Sequence, residues 1–168
     1  MALLAAHRDD GGKYRERVAH THMTPDITPA GPADLPAILE LLTASKLPRA
    51  GIEDHLASTL LARVDSGVVG TAALELYGSA ALLRSVAVAT RFQGQGLGAA
   101  LTVAALDLAR RRGVRTVYLL TETAGRFFPR FGFRPITRAD VDVAVRGSTE
   151  FTTACPASAL VMRAELAE

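Results

Sequence analysis

The stretch Ser85-Val86-Ala87-Val88-Ala89-Thr90-Arg91-Phe92-Gln93-Gly94-Gln95-Gly96-Leu97-Gly98 decides how this chain is read. Leu82 to Val88 has the β-branched and apolar character of a buried strand, and Leu97, Leu101, Ala104, Ala105 and Leu108 recur at helical steps. Between them lie the glycines of Gln93 to Gly98. A strand that feeds a helix through glycines presents the free N–H groups of the first helical turn, at the positive end of the helix dipole, to an approaching anion. The same residues also make a tight turn; the strand–loop–helix context favours a phosphate site. The helix runs to Arg112 and stops at Gly113.

Two common phosphate loops do not fit. No Lys-Ser/Thr pair follows the glycines, as a Walker loop requires. A dinucleotide fingerprint places its glycines after the first strand of a parallel βαβ unit. Here three strand-like runs come first, Ser58 to Val64, Val68 to Tyr77 and Ala81 to Val88, parted by Ser66-Gly67 and Gly78-Ser79. They predict an antiparallel meander.

Outward from this centre, Asp26 to Ala30 reads as a short strand, and Pro32-Ala33-Asp34 opens a helix with an apolar face of Leu35, Ile38, Leu39 and Leu42. A loop over Leu47 to Gly51 leads to a short helical stretch at Glu53 to Leu56, a natural place for a substrate lid. Downstream come a buried strand over Thr116 to Thr121, a helix from Ala124 to about Phe131, and a last strand near Ala159 to Leu166. The class predicted is α+β, one domain over residues 23–168. Residues 1–22 carry little apolar periodicity and read as a loose, disordered tail, with Met23 as an alternative start.

Composition narrows function. The 168 residues are 49% hydrophobic, with a formal net charge of +2 and no apolar run near the roughly 18 residues that would cross a bilayer. Arg110-Arg111-Arg112 falls where a helix dipole favours cations, so it reads as a solvated helix end rather than a nucleic-acid patch. A single cysteine, Cys155, excludes an intrachain disulfide and a thiolate metal cluster, and suits a cytoplasmic protein. No metal is expected, nor a nucleic-acid or membrane partner; oligomeric state, a homodimer included, stays open.

The quoted run resembles the acetyl-CoA motif of the GNAT acyltransferases, and Phe127-Phe128-Pro129-Arg130-Phe131-Gly132-Phe133 resembles their second signature, an aromatic-rich segment closing on Gly-Phe. More narrowly, Leu82-Leu83-Arg84-Ser85-Val86-Ala87-Val88, Leu120-Thr121, Phe127-Phe128 and Cys155-Pro156-Ala157-Ser158-Ala159 look like bacterial arsenic-resistance N-acetyltransferases and short N-acetylglutamate synthases. The resemblance implies a mostly antiparallel mixed sheet flanked by helices, and direct transfer of acetyl from acetyl-CoA to the primary amine of a small amino-acid-like acceptor, glutamate or a toxic analogue among them. It assigns the cofactor to Val86, Val88, Gln93, Gly94, Gln95, Gly96, Leu97, Gly98, Ala99 and Phe128, and the oxyanion contact to the N–H of Val88. A non-catalytic acyl-CoA sensor and an acetyltransferase acting on protein N-termini or lysines are the rival readings. Two positions depart from the pattern: Phe128 stands where many relatives have a proton-donating tyrosine, and Leu82 and Arg84 stand where acidic residues are common.

Glu75, between Leu74 and Leu76, faces either solvent or the cleft, and is taken as the base, acting directly or through water. Arg84 lies in an apolar strand where a charge needs a partner. A carboxylate clamp for the acceptor is the preferred reading, an internal ion pair the alternative. Ser85 and Thr121 are assigned to the acceptor. His55 and Cys155 read as surface or packing residues.

Overall fold

A computed structural model describes residues 5–8, 14–17, 25–154 and 156–168. Within the stretch read as a tail, β1 (Ala5–Arg8) and β2 (Tyr14–Arg17) pair antiparallel; the rest of residues 1–24, like Cys155, lies outside the described residues.

The domain is a seven-stranded sheet built from β3 (Asp26–Pro29), β4 (Thr59–Val64), β5 (Gly67–Tyr77), β6 (Ala80–Val88), β7 (Thr116–Thr121), β8 (Arg134–Ile136) and β9 (Leu160–Glu165). Its order is β3-β4-β5-β6-β7-β9-β8. The meander from β3 to β6 is antiparallel, and among the described residues only the β6–β7 pair is parallel, since a helix crosses between them. That helix, α2 (Leu97–Arg111), buries Leu97, Leu101, Ala105, Leu106 and Ala109 against Ala62, Ala72, Leu74 and Leu83 of the sheet. Each fully buried leucine contributes about 1.5–3 kcal/mol over an exposed one. On the opposite face, α1 (Leu35–Ala44) packs Ile38, Leu41 and Leu42 with Ile52 onto Leu61, Ala73 and Ala87.

The elements follow the sequence reading with three differences. The helix expected from Ala124 is only a 3-10 turn over Phe128–Phe131, because Gly125 weakens helix formation and Pro129 has no N–H to continue it. β8 is just three residues long and holds Pro135, which is tolerated there because the strand lies at the sheet edge. Between β8 and β9 the chain forms a short helix, α3 (Val143–Arg146), and a π-helical turn over Glu150–Ala154, neither marked by apolar periodicity.

Two features of β6 open a cleft beside it. Its pairing with β7 covers only Ala80↔Thr116, Ala81↔Val117 and Leu82↔Tyr118, so the two strands part beyond that row. Then a bulge sets two residues, Ser85 and Val86, opposite Ala72 alone, with Ser85 at φ 56°.

Candidate active site

The parting of β6 and β7 leaves β6 with an edge that no strand pairs beyond Leu82 among the described residues. Ala89 donates its N–H to Val69 O on the β5 side (2.8 Å). Strand alternation therefore turns the N–H groups of Val86 and Val88 the other way, into the cleft. Such an edge accepts an extended ligand as an added strand. In the described conformation the Gln93 side-chain amide donates to Val88 O at 3.0 Å.

At the mouth of the cleft the glycine loop ends on α2. Gly96 is the N-cap in the left-handed region (φ 84°), and Gly94 is also left-handed (φ 75°). No side chain caps this helix, and a Cβ at either glycine would meet nothing within 4 Å. The N–H groups of Leu97, Gly98 and Ala99 thus open onto space that an anion can fill. The intrahelical ladder starts only with Ala100 N–H to Gly96 O.

A cavity of about 530 Å³ adjoins the end of β7, lined by Thr121, the turn over residues 122–126, Phe127, Arg130 and Leu160. Phe127 reaches across to Gly98, whose built Cβ would lie 3.6 Å from its ring. Thr121 lines this cavity, with its hydroxyl accepting the N–H of Ala124 at 2.9 Å. Phe128 is 6% exposed and packs edge-on against Phe127 and Phe133 as a core residue; it does not itself line the cavity.

The charged residues of β5 and β6 form one buried network. Arg84 donates through Nη1 to Glu75 Oε1 (2.6 Å), through Nη2 to Ala50 O (2.8 Å), and through Nε to Ser85 Oγ (3.2 Å). Its Nε also lies 3.4 Å from Glu150 Oε1, a carboxylate supplied by the π-helical turn. Tyr77 donates to Glu75 Oε2 at 2.6 Å, and burial, reinforced by that carboxylate, raises its hydroxyl pKa far above the ordinary phenol value. Tyr77 is therefore a neutral donor. His55 completes the group, with Nε2 3.6 Å from Glu75 Oε1 and a side chain 25% exposed.

This network revises the reading of two residues. Arg84 is an internal ion-pair partner whose side chain is 0% exposed, not an open clamp for an acceptor's carboxylate. A guanidinium taken out of water inside a sheet needs carboxylates of the protein's own. Glu75 faces neither solvent nor the cleft directly: at 1% exposure it is sealed behind His55 and Tyr77. Ser85, also buried, is the bulge residue and accepts from Arg84. Glu150 carries no motif, and His55 is a lone histidine on a short turn; neither gave a signal in sequence, because folding alone brings them together. Among the described residues no cluster of three or more His, Cys, Asp or Glu can hold a metal, and no helix is long and apolar enough to cross a membrane.

Comparison with known proteins agrees with this geometry. No curated protein matches the chain by sequence. The N-acetylglutamate synthase of Neisseria gonorrhoeae, solved with coenzyme A and L-arginine, superposes with a TM-score of 0.73 at 21% identity, over 86% of this chain and 34% of that one. This chain thus spans about a third of the synthase's length. Rv2747 from Mycobacterium tuberculosis, solved in complex with CoA, gives a TM-score of 0.73 at 24% identity, over 85% of this chain and 100% of that one. The PaiA N-acetyltransferase of Thermoplasma acidophilum, in complex with coenzyme A, gives 0.65 at 15% identity, over 86% and 100% of the two chains. These likenesses establish a shared fold. The profile of the family described as Acetyltransferase (GNAT) domain matches residues 55–135, which span β4 to β6, the glycine loop, α2, β7 and the aromatic turn. The parted β6–β7 pair and the glycine loop capping α2 both fall within that match, which covers just under half of the chain and marks its likeness to the GNAT acetyltransferase family.

Proposed function

We propose that the protein transfers the acetyl group of acetyl-CoA to the primary amine of a small, amino-acid-like acceptor, by direct attack in a ternary complex. The observation that carries this is the β6 edge, unpaired among the described residues, that runs from the bulge at Ser85 to the uncapped N-terminus of α2. One end of that track suits a pyrophosphate, and its length suits an extended arm with amide groups of its own. On this reading Gly94 and Gly96, with the N–H groups of Leu97, Gly98 and Ala99, hold the phosphates, and Gln93 and Gln95 flank them. Val86 and Val88 pair with the arm. The thioester carbonyl lies between β6 and β7, where Val88 N–H, or that of Val86 nearer the vertex, stabilises the oxyanion.

Amine attack forms the C–N bond and the C–S bond then breaks, so no enzyme nucleophile is needed. CoA departs as a thiolate, which is tolerable near neutral pH, so Phe128 in place of a tyrosine does not forbid turnover. An amino-acid acceptor is supported by the solved neighbour of this fold from Neisseria gonorrhoeae, which is complexed with coenzyme A and N-acetyl-glutamate. The deciding assay is thiol release from acetyl-CoA with a panel of amino acids, glutamate and its phosphinic and arsinic analogues, and simple amines. Release with glutamate-like acceptors supports the reading in full. Release only with simple amines removes the amino-acid part, and no release with any amine, although CoA binds, turns the reading to an acyl-CoA sensor.

A further inference from the structure

Glu75, Arg84 and Glu150 bring two carboxylates to one guanidinium inside the protein, all at most 4% exposed. Their formal sum is one negative charge. Burying a carboxylate as deeply as Glu75 is costly, so a polar or cationic neighbour on its remaining side is favoured. The group at that side is His55, whose Nε2 faces Glu75 Oε1 at 3.6 Å, too long for a hydrogen bond but within ion-pair distance. The other faces of Glu75 are taken by Tyr77 and Arg84. The charged residues on the histidine's own turn, Glu53 and Asp54, are exposed, as is Arg49 in the preceding loop.

The place is right for chemistry on the amine. Glu75 pairs across the sheet with Leu82, which pairs in turn with Tyr118, and this is the row where β6 and β7 begin to part. Gly51, four residues before His55, overlies Arg84, whose Nη1 is 3.4 Å from a Cβ built there. Thr71 shares the face of Glu75 by strand alternation and lies opposite Ala87 beyond the bulge. Its hydroxyl is fully buried without a hydrogen-bond partner among the described residues.

We propose that His55 takes the proton from the acceptor's ammonium, with buried Glu75 as the charge that stabilises the resulting imidazolium. This rests on the acetyltransferase reading and supplies the base that sealed Glu75 cannot itself be. Nε2 is turned to Glu75, so Nδ1 is the nitrogen that receives the proton. The freed lone pair of the amine attacks the thioester carbonyl; collapse expels the CoA thiolate, which takes the second amine proton as the amide forms. His55, a quarter exposed, returns its proton to water.

The test compares the full chain with His55→Gln and His55→Ala, after calorimetry shows CoA binding unchanged and melting shows each folded. Loss of one proton acceptor lowers kcat/KM for the acceptor about 100-fold or more. The acid-side fall of the kcat/KM–pH profile disappears in both variants, and added imidazole restores part of the rate to His55→Ala. A packing role moves neither the profile nor the rescue. Wild-type turnover and profile in His55→Gln would overturn the base assignment while leaving the acetyltransferase reading intact. A wild-type protein that binds CoA but acetylates no amine would overturn both.

Discussion

At the residue scale, the glycine loop and the buried arginine make opposite demands on a side chain. Gly96 holds φ 84° with open space about it, so Gly96→Val brings both backbone strain and a branched group where phosphate approaches the N–H groups. We expect CoA affinity to fall at least tenfold with the fold intact, as calorimetry and melting would read. Unchanged affinity would remove the phosphate-loop assignment. Arg84→Ala acts on stability instead, because it leaves the carboxylates of Glu75 and Glu150 buried without their guanidinium. The expected loss is about 3–5 kcal/mol by denaturant unfolding. The ratio of activity on amino acids to simple amines should hold in whatever fraction stays folded; a collapse of that ratio would return Arg84 to the acceptor. Sequence reasoning saw that a charge in the Leu82–Val88 strand must have a partner. It had no means to choose between a ligand and Glu75, nine residues away on the neighbouring strand.

At the element scale, the helices are tied to the sheet by two kinds of contact. The start of α1 is fixed through Asp34, whose carboxylate accepts from Arg63 Nη2 and from Gly31 N–H, each at 2.8 Å. The Arg63 hydrogen bond, helped by the Gly31 N–H, lowers the Asp34 pKa from its ordinary 3.8. A depressed carboxyl contributes stability in full above that ordinary value and loses it as pH falls through the folded-state pKa. Asp34→Asn should therefore cost stability at pH 7, with the difference from the parent shrinking at pH values well below 3.8 in paired unfolding curves. A gap constant down to the acid limit would rule out the charge. On the other face, α2 approaches β5 closely at Gly70, where a Cβ would lie 2.8 Å from Leu101 Cδ1 and 3.3 Å from Ala62 Cβ. Leu101 is fully buried and cannot swing to solvent, so Gly70→Ala overpacks the contact. About 1–3 kcal/mol is expected, seen as a lower melting temperature; a neutral result would mean that α2 shifts freely on the sheet. The helix itself was plain in the 3.6-residue spacing of Leu97, Leu101, Ala105 and Leu108. The tightness of its seat was not, since it depends on which strand residue lies beneath.

At the scale of the whole molecule, the sheet is continuous from β3 to β8 except where β6 and β7 part. A ligand that adds backbone-like hydrogen bonds there binds the folded protein alone and stabilises all of it by mass action. At 100 times its dissociation constant, CoA should add about 2.7 kcal/mol and raise the melting temperature by about 5–10 °C. Absence of any shift at saturating CoA would contradict the cleft as its site. What the sequence determined by itself was local: the periodicities that make the strands and helices, and the glycines that leave a helix start open. Both are written in neighbouring residues, because helix and strand periods and backbone N–H geometry act over a few positions. Only the tertiary structure decided which charges meet. His55, Glu75, Arg84 and Glu150 come from three separate parts of the chain, and their pairing is fixed by strand register, the bulge at Ser85 and the return of the segment before β9. No periodicity encodes those contacts, since burial makes a charge seek a partner in space and leaves its place in the sequence open.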